Sequence, residues 1–358
     1  MHSMYFKLSM NSRQTTNWFK GAAILAVIIS HYFQYYTTPN LDGWVIEYAN
    51  GLIFFFFIFS GFGIYHSMER RFSNGISASS LKKYYLDRAL RIFPLYWIAL
   101  FIVPWFQSQQ FYSKLHHLNG IIYYTGFPAA QAPGIYWFIT SIIQCYLLSP
   151  LFFIAIKKWG IKRFLISCGC FTLILIPISF MVFSGHLNLP NFLKYPFEYR
   201  FFFGAHLLLF GLGMIIAIFS PSLFKSGKML FLFFVILSLS IYFTRYKDML
   251  FHDSASIIAP VFIGSSFLFC LNFLVRKARL PFKFLSLLGI YSYPLYLFHL
   301  PFYGLLDRLG LLRHDSIYGA IVILLFSPIF MLFCFRIETI MDFFERRFMR
   351  FFRPVAAS

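Results

Sequence analysis

Long apolar stretches alternate with short polar segments from one end of the chain to the other. Each stretch is close to the roughly 20 residues that a helix needs to cross the hydrocarbon core of a bilayer. The pattern therefore predicts an all-α, polytopic integral membrane protein in which residues 1–358 form a single transmembrane domain of about ten helices. The predicted spans are, roughly, residues 16–37, 45–66, 88–106, 134–156, 163–184, 200–219, 229–244, 255–275, 284–305 and 317–340.

The composition supports this prediction. Of the 358 residues, 59% are hydrophobic and only 12% are charged, whereas soluble globular proteins carry about 25% charged residues. A soluble domain of this length cannot bury so much apolar surface. No polar stretch between the apolar ones is long enough to fold as a separate soluble domain.

Basic residues are distributed unequally between the two predicted sides of the membrane. With the amino terminus placed in the cytoplasm, 24 of the 31 lysines and arginines fall in cytoplasmic segments and 7 in external ones. Because cytoplasmic loops of membrane proteins collect Lys and Arg, this split predicts that both termini are cytoplasmic. It also accounts for the net charge of +19 without a nucleic-acid partner. The basic and aromatic segment 341–353 is expected to lie against anionic lipid headgroups.

The first apolar stretch contains one imidazole, His31. Eleven helical residues separate it from Lys20, a rise of roughly 16 Å, so Lys20 lies near one membrane face and His31 beyond the middle. A polar side chain at that depth is costly unless it faces a protein interior or a water-filled cavity. Since an imidazole gives and takes protons near neutral pH, we predict that His31 is the reacting centre of a membrane enzyme. The alternative is a histidine that only packs between helices.

Two arginines open the third predicted span, at Arg88 and Arg91. An i, i+3 spacing places both guanidinium groups on one helical face. Two such groups can bind phosphates bidentately, so we predict an anion-binding role. The alternative is an anchor that holds the cytoplasmic end of the span in place.

Polar residues in the second and fourth spans are candidates for a substrate pocket. Ser60 is followed by Gly61 within an apolar helix, which permits close backbone approach and offers one hydroxyl; the alternative is a packing notch. In the fourth span, Gln144 and Tyr146 lie deeper than Trp137. An aromatic belt at the membrane interface is the alternative explanation for Trp137.

A second membrane histidine, His299, follows a tyrosine-rich segment that includes Tyr293. Pro294 and Pro301 flank this segment and are predicted to kink the span. We expect His299 to be a structural or pocket residue, with a catalytic role as the alternative.

These short motifs, in this order and spacing, resemble the acyltransferase-3 family over about residues 13–340. Each motif is weak alone, but the combination is specific. The matching residues are Lys20-x10-His31, Phe59-Ser60-Gly61-Phe62, Arg88-x-x-Arg91, Trp137-Phe138 with Tyr146 and Pro150, Phe210-Gly211-Leu212-Gly213, and Ser292-Tyr293-x-x-Tyr296-Leu297-x-His299.

The resemblance implies an O-acyltransferase of the bacterial inner membrane. Members of the family move acyl groups, usually acetyl from acetyl-CoA, to hydroxyls of surface or exported glycans. By this resemblance His31 is the essential histidine, while Arg88 and Arg91, with Lys20, serve the acyl-CoA side. The implied partners are acyl-CoA as a donor substrate, a glycan or lipid-linked saccharide as acceptor, and membrane lipids. No permanently bound cofactor and no metal are expected, and a homo-oligomer stays open.

The chain departs from the family pattern at two places. Many members carry an Asp where this chain has Asn17, and a Glu where it has Ile142. A carboxylate that orients His31 is therefore absent from both places. The competing class is a transporter or flippase of a lipid-linked glycan or small molecule, which shares the spans, the basic side and a buried histidine; a non-catalytic membrane scaffold is a third possibility. The acceptor and the length of the acyl group are not determined by the sequence.

Overall fold

The computed structural model describes residues 12–36, 55–73, 75–106, 137–183, 186–187, 203–219, 282–312 and 316–351. Within these residues the chain is all-helical, with no strand, as predicted. The predicted spans 229–244 and 255–275 and most of the segment between the third and fourth spans lie outside the described residues. The eight helices are α1 Ser12–Tyr36, α2 Phe55–Arg71, α3 Ala78–Phe106, α4 Trp137–Phe183, α5 Phe203–Phe219, α6 Phe282–Ile290, α7 Ser292–Arg308 and α8 Ser316–Phe351.

The helix α4 folds back on itself at Gly160. This glycine has φ 80° and ψ 165°, a left-handed conformation that glycine adopts without steric cost. The rings of Phe152 and Phe164 are 5.9 Å apart, although a straight helix would separate residues twelve apart by roughly 18 Å. The two halves therefore run antiparallel, in agreement with the separate spans predicted at 134–156 and 163–184.

The helices α1 and α6 pack with their backbones in contact. A Cβ atom on Gly21 would collide with the carbonyl oxygen of Leu285, and one on Gly289 would collide with that of Asn17. The contact is reciprocal, because each glycine meets the carbonyl that lies four residues before the glycine of the other helix. This is the pattern of two parallel helices in which Gly21 lies opposite Gly289. Small residues at such crossings allow the close approach that membrane helices use for packing.

The helices α2 and α5 form a second close crossing of the same kind. A Cβ atom on Gly61 would meet the carbonyl oxygen of Phe210, and one on Gly213 would meet that of Ile58. The prediction that Ser60-Gly61 allows close backbone approach is thus matched by the packing. Both crossings bring together helices that the predicted alternation of spans orients in the same direction.

The helices α6 and α7 are separated by an interruption at Tyr291, three residues before Pro294. Pro301 lies inside α7, so the break falls near the first proline of the segment and not at the second. α8 then returns antiparallel to α7, with ring contacts that include Phe302 to Phe330 at 4.5 Å and Tyr291 to Phe335 at 5.0 Å.

One side of α8 exposes large aliphatic side chains. Leu324 and Leu325 are each 70% exposed and Ile329 is 66% exposed, which in water would form an apolar patch of the kind that soluble monomers avoid. Two helical segments are long and apolar enough to cross a membrane by length and composition: Ser141–Phe171, which includes the reversal at Gly160, and Tyr318–Phe348. Both overlap predicted spans, and the number of spans stays a prediction.

Candidate active site

A cavity of about 100 Å³ lies between α1, α2, α3, α4 and α7. Its polar side chains come from five helices that are distant in sequence, and its remaining wall is apolar. The lining residues are Lys20, Phe56, Ser60, Arg88, Arg91, Ile92, Phe138, Ile139, Ile142, Tyr146, Ser292, Tyr293 and Tyr296. Of the residues predicted from sequence, six meet here: Lys20, Ser60, Arg88, Arg91, Tyr146 and Tyr293.

Three basic side chains, Lys20, Arg88 and Arg91, line this one cavity. The neighbouring carboxylate, Asp87, forms an ion pair with Arg71 at the end of α2 and is therefore engaged away from the cavity. The Arg88 guanidinium also lies over the ring of Tyr84, 5.9 Å from its centroid. The cluster has the charge and the donors to bind phosphate groups.

Two carboxylates of α8, Glu338 and Glu345, interact electrostatically with Arg91. One oxygen of Glu338 is buried and has no hydrogen-bond partner among the described residues. The sequence analysis did not identify these residues as part of the site. No spacing signal could have found them, because α8 reaches Arg91 only through the packing of the last helix on α3.

The two membrane histidines, which the sequence places 268 residues apart, form a hydrogen-bonded pair. His31 Nδ1 lies 2.7 Å from His299 Nε2, and the two rings are stacked with centroids 5.0 Å apart. His31 is 8% exposed and His299 is fully buried. The second nitrogen of His299, Nδ1, lies 2.7 Å from the carbonyl oxygen of Tyr296, one turn earlier in α7. We refer to His31 and His299 as the histidine pair.

Tyr296 connects the histidine pair to the cavity. Its side chain lines the cavity, and its ring centroid lies 6.1 Å from that of His299 and 5.6 Å from that of Phe138. His31 and His299 do not themselves line the cavity. The pair therefore lies behind the part of the cavity wall that Tyr296 forms.

Tyrosine hydroxyls join α7 to the helices that carry the other site residues. Tyr293 donates to the carbonyl oxygen of Ile92 in α3 at 2.7 Å, and Tyr303 donates to that of Ile28 in α1 at 2.8 Å. These hydrogen bonds hold α7 in register with both neighbours. They fix the depth of the histidine pair relative to the arginines.

A similar brace joins α3 to α4 beside the basic cluster. The hydroxyl of Tyr84 lies 2.6 Å from that of Ser149, which donates to the carbonyl oxygen of Tyr146 at 2.7 Å. That carbonyl lacks its usual helical donor, because Pro150 has no N–H. Burial raises the pKa of Tyr84, so its hydroxyl stays protonated and acts as a donor.

Two of the predicted pocket residues are not placed in the cavity. Gln144 lies on α4 but does not line it, and its amide nitrogen has no hydrogen-bond partner among the described residues. The side chain of Trp137 lies outside the described part of the structure. His299, which we expected to be a structural or pocket residue, is the direct partner of His31 and does not line the cavity.

The arrangement combines an anion-binding cluster with a buried base. The cluster lines the cavity, and the histidine pair lies behind the part of the cavity wall that Tyr296 forms. Imidazoles are suited to accept a proton from a hydroxyl or to attack a carbonyl carbon.

Comparison with known families agrees with this geometry. A family model described as an acyltransferase domain, that of the acyltransferase-3 family, matches residues 15–337 of the 358. No curated protein and no solved structure matches the chain. The matched region begins within α1 and ends within α8, and it contains the cavity, the basic cluster and the histidine pair. The chain therefore belongs to the acyltransferase-3 family and is a membrane acyltransferase.

Proposed function

We propose that the protein transfers an acyl group, acetyl in the first instance, from acyl-CoA to a hydroxyl of a cell-surface or exported glycan. We propose further that it is a multi-pass protein of the bacterial inner membrane. The observation that carries the proposal is that Lys20, Arg88 and Arg91 line one cavity whose wall at Tyr296 lies next to the histidine pair. A lipid flippase needs no such pairing of a phosphate cluster with a buried base.

Acyl-CoA carries phosphates at one end of a thin pantetheine arm and the thioester at the other. In the proposal the phosphates bind Arg88, Arg91 and Lys20, which lie on the cytoplasmic side of the predicted topology. The basic cluster raises the local concentration of the anionic donor. The arm then extends along the cavity, whose volume of about 100 Å³ suits a narrow chain and a short acyl group.

The proposed chemistry uses His31 in one of two routes. As a general base, His31 accepts the hydroxyl proton while the hydroxyl oxygen attacks the thioester carbonyl carbon; the C–S bond breaks, and the CoA thiolate takes that proton as it leaves. As a nucleophile, His31 first displaces the thiolate and forms an acyl-imidazole. The acceptor oxygen then breaks the C–N bond. Both routes yield the ester and free CoA thiol.

The first experiment measures the thermal stability of the purified protein with and without acetyl-CoA. We expect acetyl-CoA to raise the unfolding temperature, and we expect the double variant Arg88→Ala, Arg91→Ala to lose most of that shift. The matched control, Lys162→Ala with Arg163→Ala, removes two exposed basic residues of α4 that do not line the cavity. An equal loss in the control would mean that the donor binds basic surface non-specifically.

The second experiment follows transfer itself. A strain that lacks the gene should lose acetyl groups from a surface glycan, seen as a mass decrease, and the intact protein should restore them. His31→Ala should lower transfer by about 10²–10⁴-fold, the usual contribution of a general base, while the protein still inserts in the membrane. Near-normal transfer by this variant would refute the role of His31. A glycan that is missing from the surface, and not merely unacetylated, would favour the transporter class.

A further inference from the structure

We infer that His299 is a positioning residue that fixes the tautomer of His31, with the proton on Nδ1 and the reactive lone pair on Nε2. The inference rests on the proposed function in one respect: it identifies which atom of His31 acts in that reaction. It is carried by two hydrogen bonds that meet on the ring of His299, one to His31 and one to the Tyr296 carbonyl.

The direction of these bonds follows from what each partner can do. A backbone carbonyl only accepts, so His299 Nδ1 must carry the proton that it donates to Tyr296. In a neutral imidazole the other nitrogen is then an acceptor, which makes His299 Nε2 the acceptor in the contact with His31. His31 Nδ1 is therefore the donor, and the lone pair of its neutral ring is on Nε2.

The charged alternative is disfavoured by the surroundings of the ring. If His299 carried a positive charge it would donate through both nitrogens and reverse the tautomer of His31. His299 is fully buried, and no carboxylate acts on it within the described part of the chain. A buried cation without a counter-charge costs several kcal/mol, so the neutral form is the one that the site stabilises.

In this site an imidazole that donates to a carbonyl takes the place of a carboxylate that would orient His31. Asn17 and Ile142 supply no carboxylate to His31, and the tautomer is set through His299 instead. A base whose tautomer is wrong can retain its geometry and still lose most of its activity. The helix contact at Gly21 and Gly289, roughly three turns from the histidine pair, holds the two rings at the same depth.

The experiment records nitrogen NMR spectra of the full-length protein in lipid, with ¹⁵N in the histidine rings. The His31 signals are assigned by comparison with His31→Gln. In the unaltered protein we expect a protonated Nδ1 and an unprotonated Nε2 on His31. In His299→Leu, which removes the acceptor, we expect the proton to move to Nε2, the nitrogen that a free neutral imidazole prefers.

The kinetic readout uses a conservative variant. His299→Gln places an amide oxygen near the position of Nε2, so it can accept from His31 Nδ1 and should retain both the tautomer and most of the activity. His299→Leu should lower kcat by about 10²–10⁴-fold, with little change in the KM for acetyl-CoA. The control Tyr84→Phe removes a hydroxyl from the brace between α3 and α4, away from the two helices that carry the histidine pair, and should lower thermal stability without moving the histidine signals.

Two results would overturn the inference: a proton on Nε2 of His31 in the unaltered protein, or equal loss of activity in the Gln and Leu variants with an unchanged tautomer. Failure of the proposed function is distinguishable from both. If the protein showed no acyl transfer while His31 carried its proton on Nδ1, the function would be wrong and the positioning of the ring would stand.

Discussion

Gly21 of α1 and Gly289 of α6 face each other at a crossing where neither position can accept a side chain. A Cβ atom on Gly21 would overlap the carbonyl of Leu285, and one on Gly289 would overlap that of Asn17. Both obstacles are helical backbone, which cannot move aside as a flexible side chain would. His31 lies ten residues after Gly21, and His299 lies ten residues after Gly289. The crossing therefore brings the two histidines to the same depth.

We predict that Gly21→Ala separates these helices and destabilises the protein, by the roughly 1–3 kcal/mol typical of overpacking. The acyl-transfer rate should fall as well, because the contact between His31 and His299 depends on the crossing. The measurements are the thermal unfolding temperature of the purified protein and its rate of acetyl transfer.

The matched control is Gly63→Ala on α2, where an added Cβ would have no atom within 4 Å. This change should leave stability unchanged or raise it, by up to about 1 kcal/mol, because Ala is the better helix former. A Gly21 variant that was as stable as the Gly63 variant would show that the crossing is looser than the structure indicates.

Substitutions at Ser60 test whether acetyl-CoA binding depends on the volume of the cavity or on the hydroxyl of Ser60. Ser60→Leu should fill much of a cavity of about 100 Å³ and abolish stabilisation by acetyl-CoA, while the protein stays folded. Ser60→Ala preserves the volume and should retain binding. Ser67→Leu, two turns along the same helix and away from the cavity, is the control. If Ser60→Ala lost binding as completely as Ser60→Leu, the hydroxyl itself would be the binding group.

Tyr84 and Pro150 both affect the hydrogen bonding of the Tyr146 carbonyl. We therefore predict that substitutions at these two residues are energetically coupled. Tyr84→Phe removes a donor from this brace and should cost about 1 kcal/mol of stability. In a Pro150→Ala background the cost should be smaller, since the substituted alanine supplies the backbone N–H that the carbonyl lacks. A double-mutant cycle on unfolding free energies measures the difference.

A serine that donates to a carbonyl left without its helical donor by a proline also occurs at an exposed position. It serves as the reference for this cycle. Ser327 donates to the carbonyl of Leu324 at 2.9 Å, which Pro328 leaves without its helical donor. Because Ser327 lies within the predicted span 317–340, where no water can replace the hydroxyl, Ser327→Ala should cost about 1 kcal/mol, the contribution of one such hydrogen bond without a tyrosine. Additive effects of Tyr84→Phe and Pro150→Ala would contradict the proposed brace.

The ion pair between Arg71 and Asp87 predicts an indirect effect on donor binding. Both side chains are largely buried. In Arg71→Ala the carboxylate of Asp87 is released beside Arg88, where it should compete with the phosphates of acetyl-CoA and weaken binding. The double variant Arg71→Ala, Asp87→Ala should recover affinity, although it stays less stable than the original protein.

A second ion pair nearby is the control that distinguishes competition by Asp87 from a general loss of positive charge. Lys157 and Glu69 form an exposed ion pair at 3.4 Å, and exposed pairs contribute only about 0–1 kcal/mol. Lys157→Ala should therefore leave acetyl-CoA affinity unchanged. Equal affinity in the Arg71→Ala single and double variants would exclude competition by Asp87.

Periodicity and local spacing were sufficient to predict the helical fold and six of the thirteen residues that line the cavity. The i, i+3 spacing of Arg88 and Arg91 placed both on one face, and both line the cavity. The depth of His31 in the membrane, which its distance to Lys20 predicts, stays a prediction, whereas its position in the first helix agrees with the structure. These inferences succeed because each depends on a single helix, whose geometry is the same wherever it packs.

The partners across helices could not be predicted in this way. Nothing in the spacing of His299 shows that it meets His31, nor that Arg91 is approached by Glu338 from the last helix. Such pairs depend on crossing angles and depths, which are set by glycine contacts and by hydroxyls bound to backbone carbonyls. Gln144 shows the reverse limit, since a suitable residue type in a suitable span need not reach the cavity.

The histidine pair joins the first helix of the chain to one of the last. A ribosome must therefore synthesise more than four-fifths of the protein before His31 can meet its partner. Until then the nascent chain carries Arg88 and Arg91 without a partner for His31, so the arrangement on which the proposed reaction depends is completed only when α7 inserts.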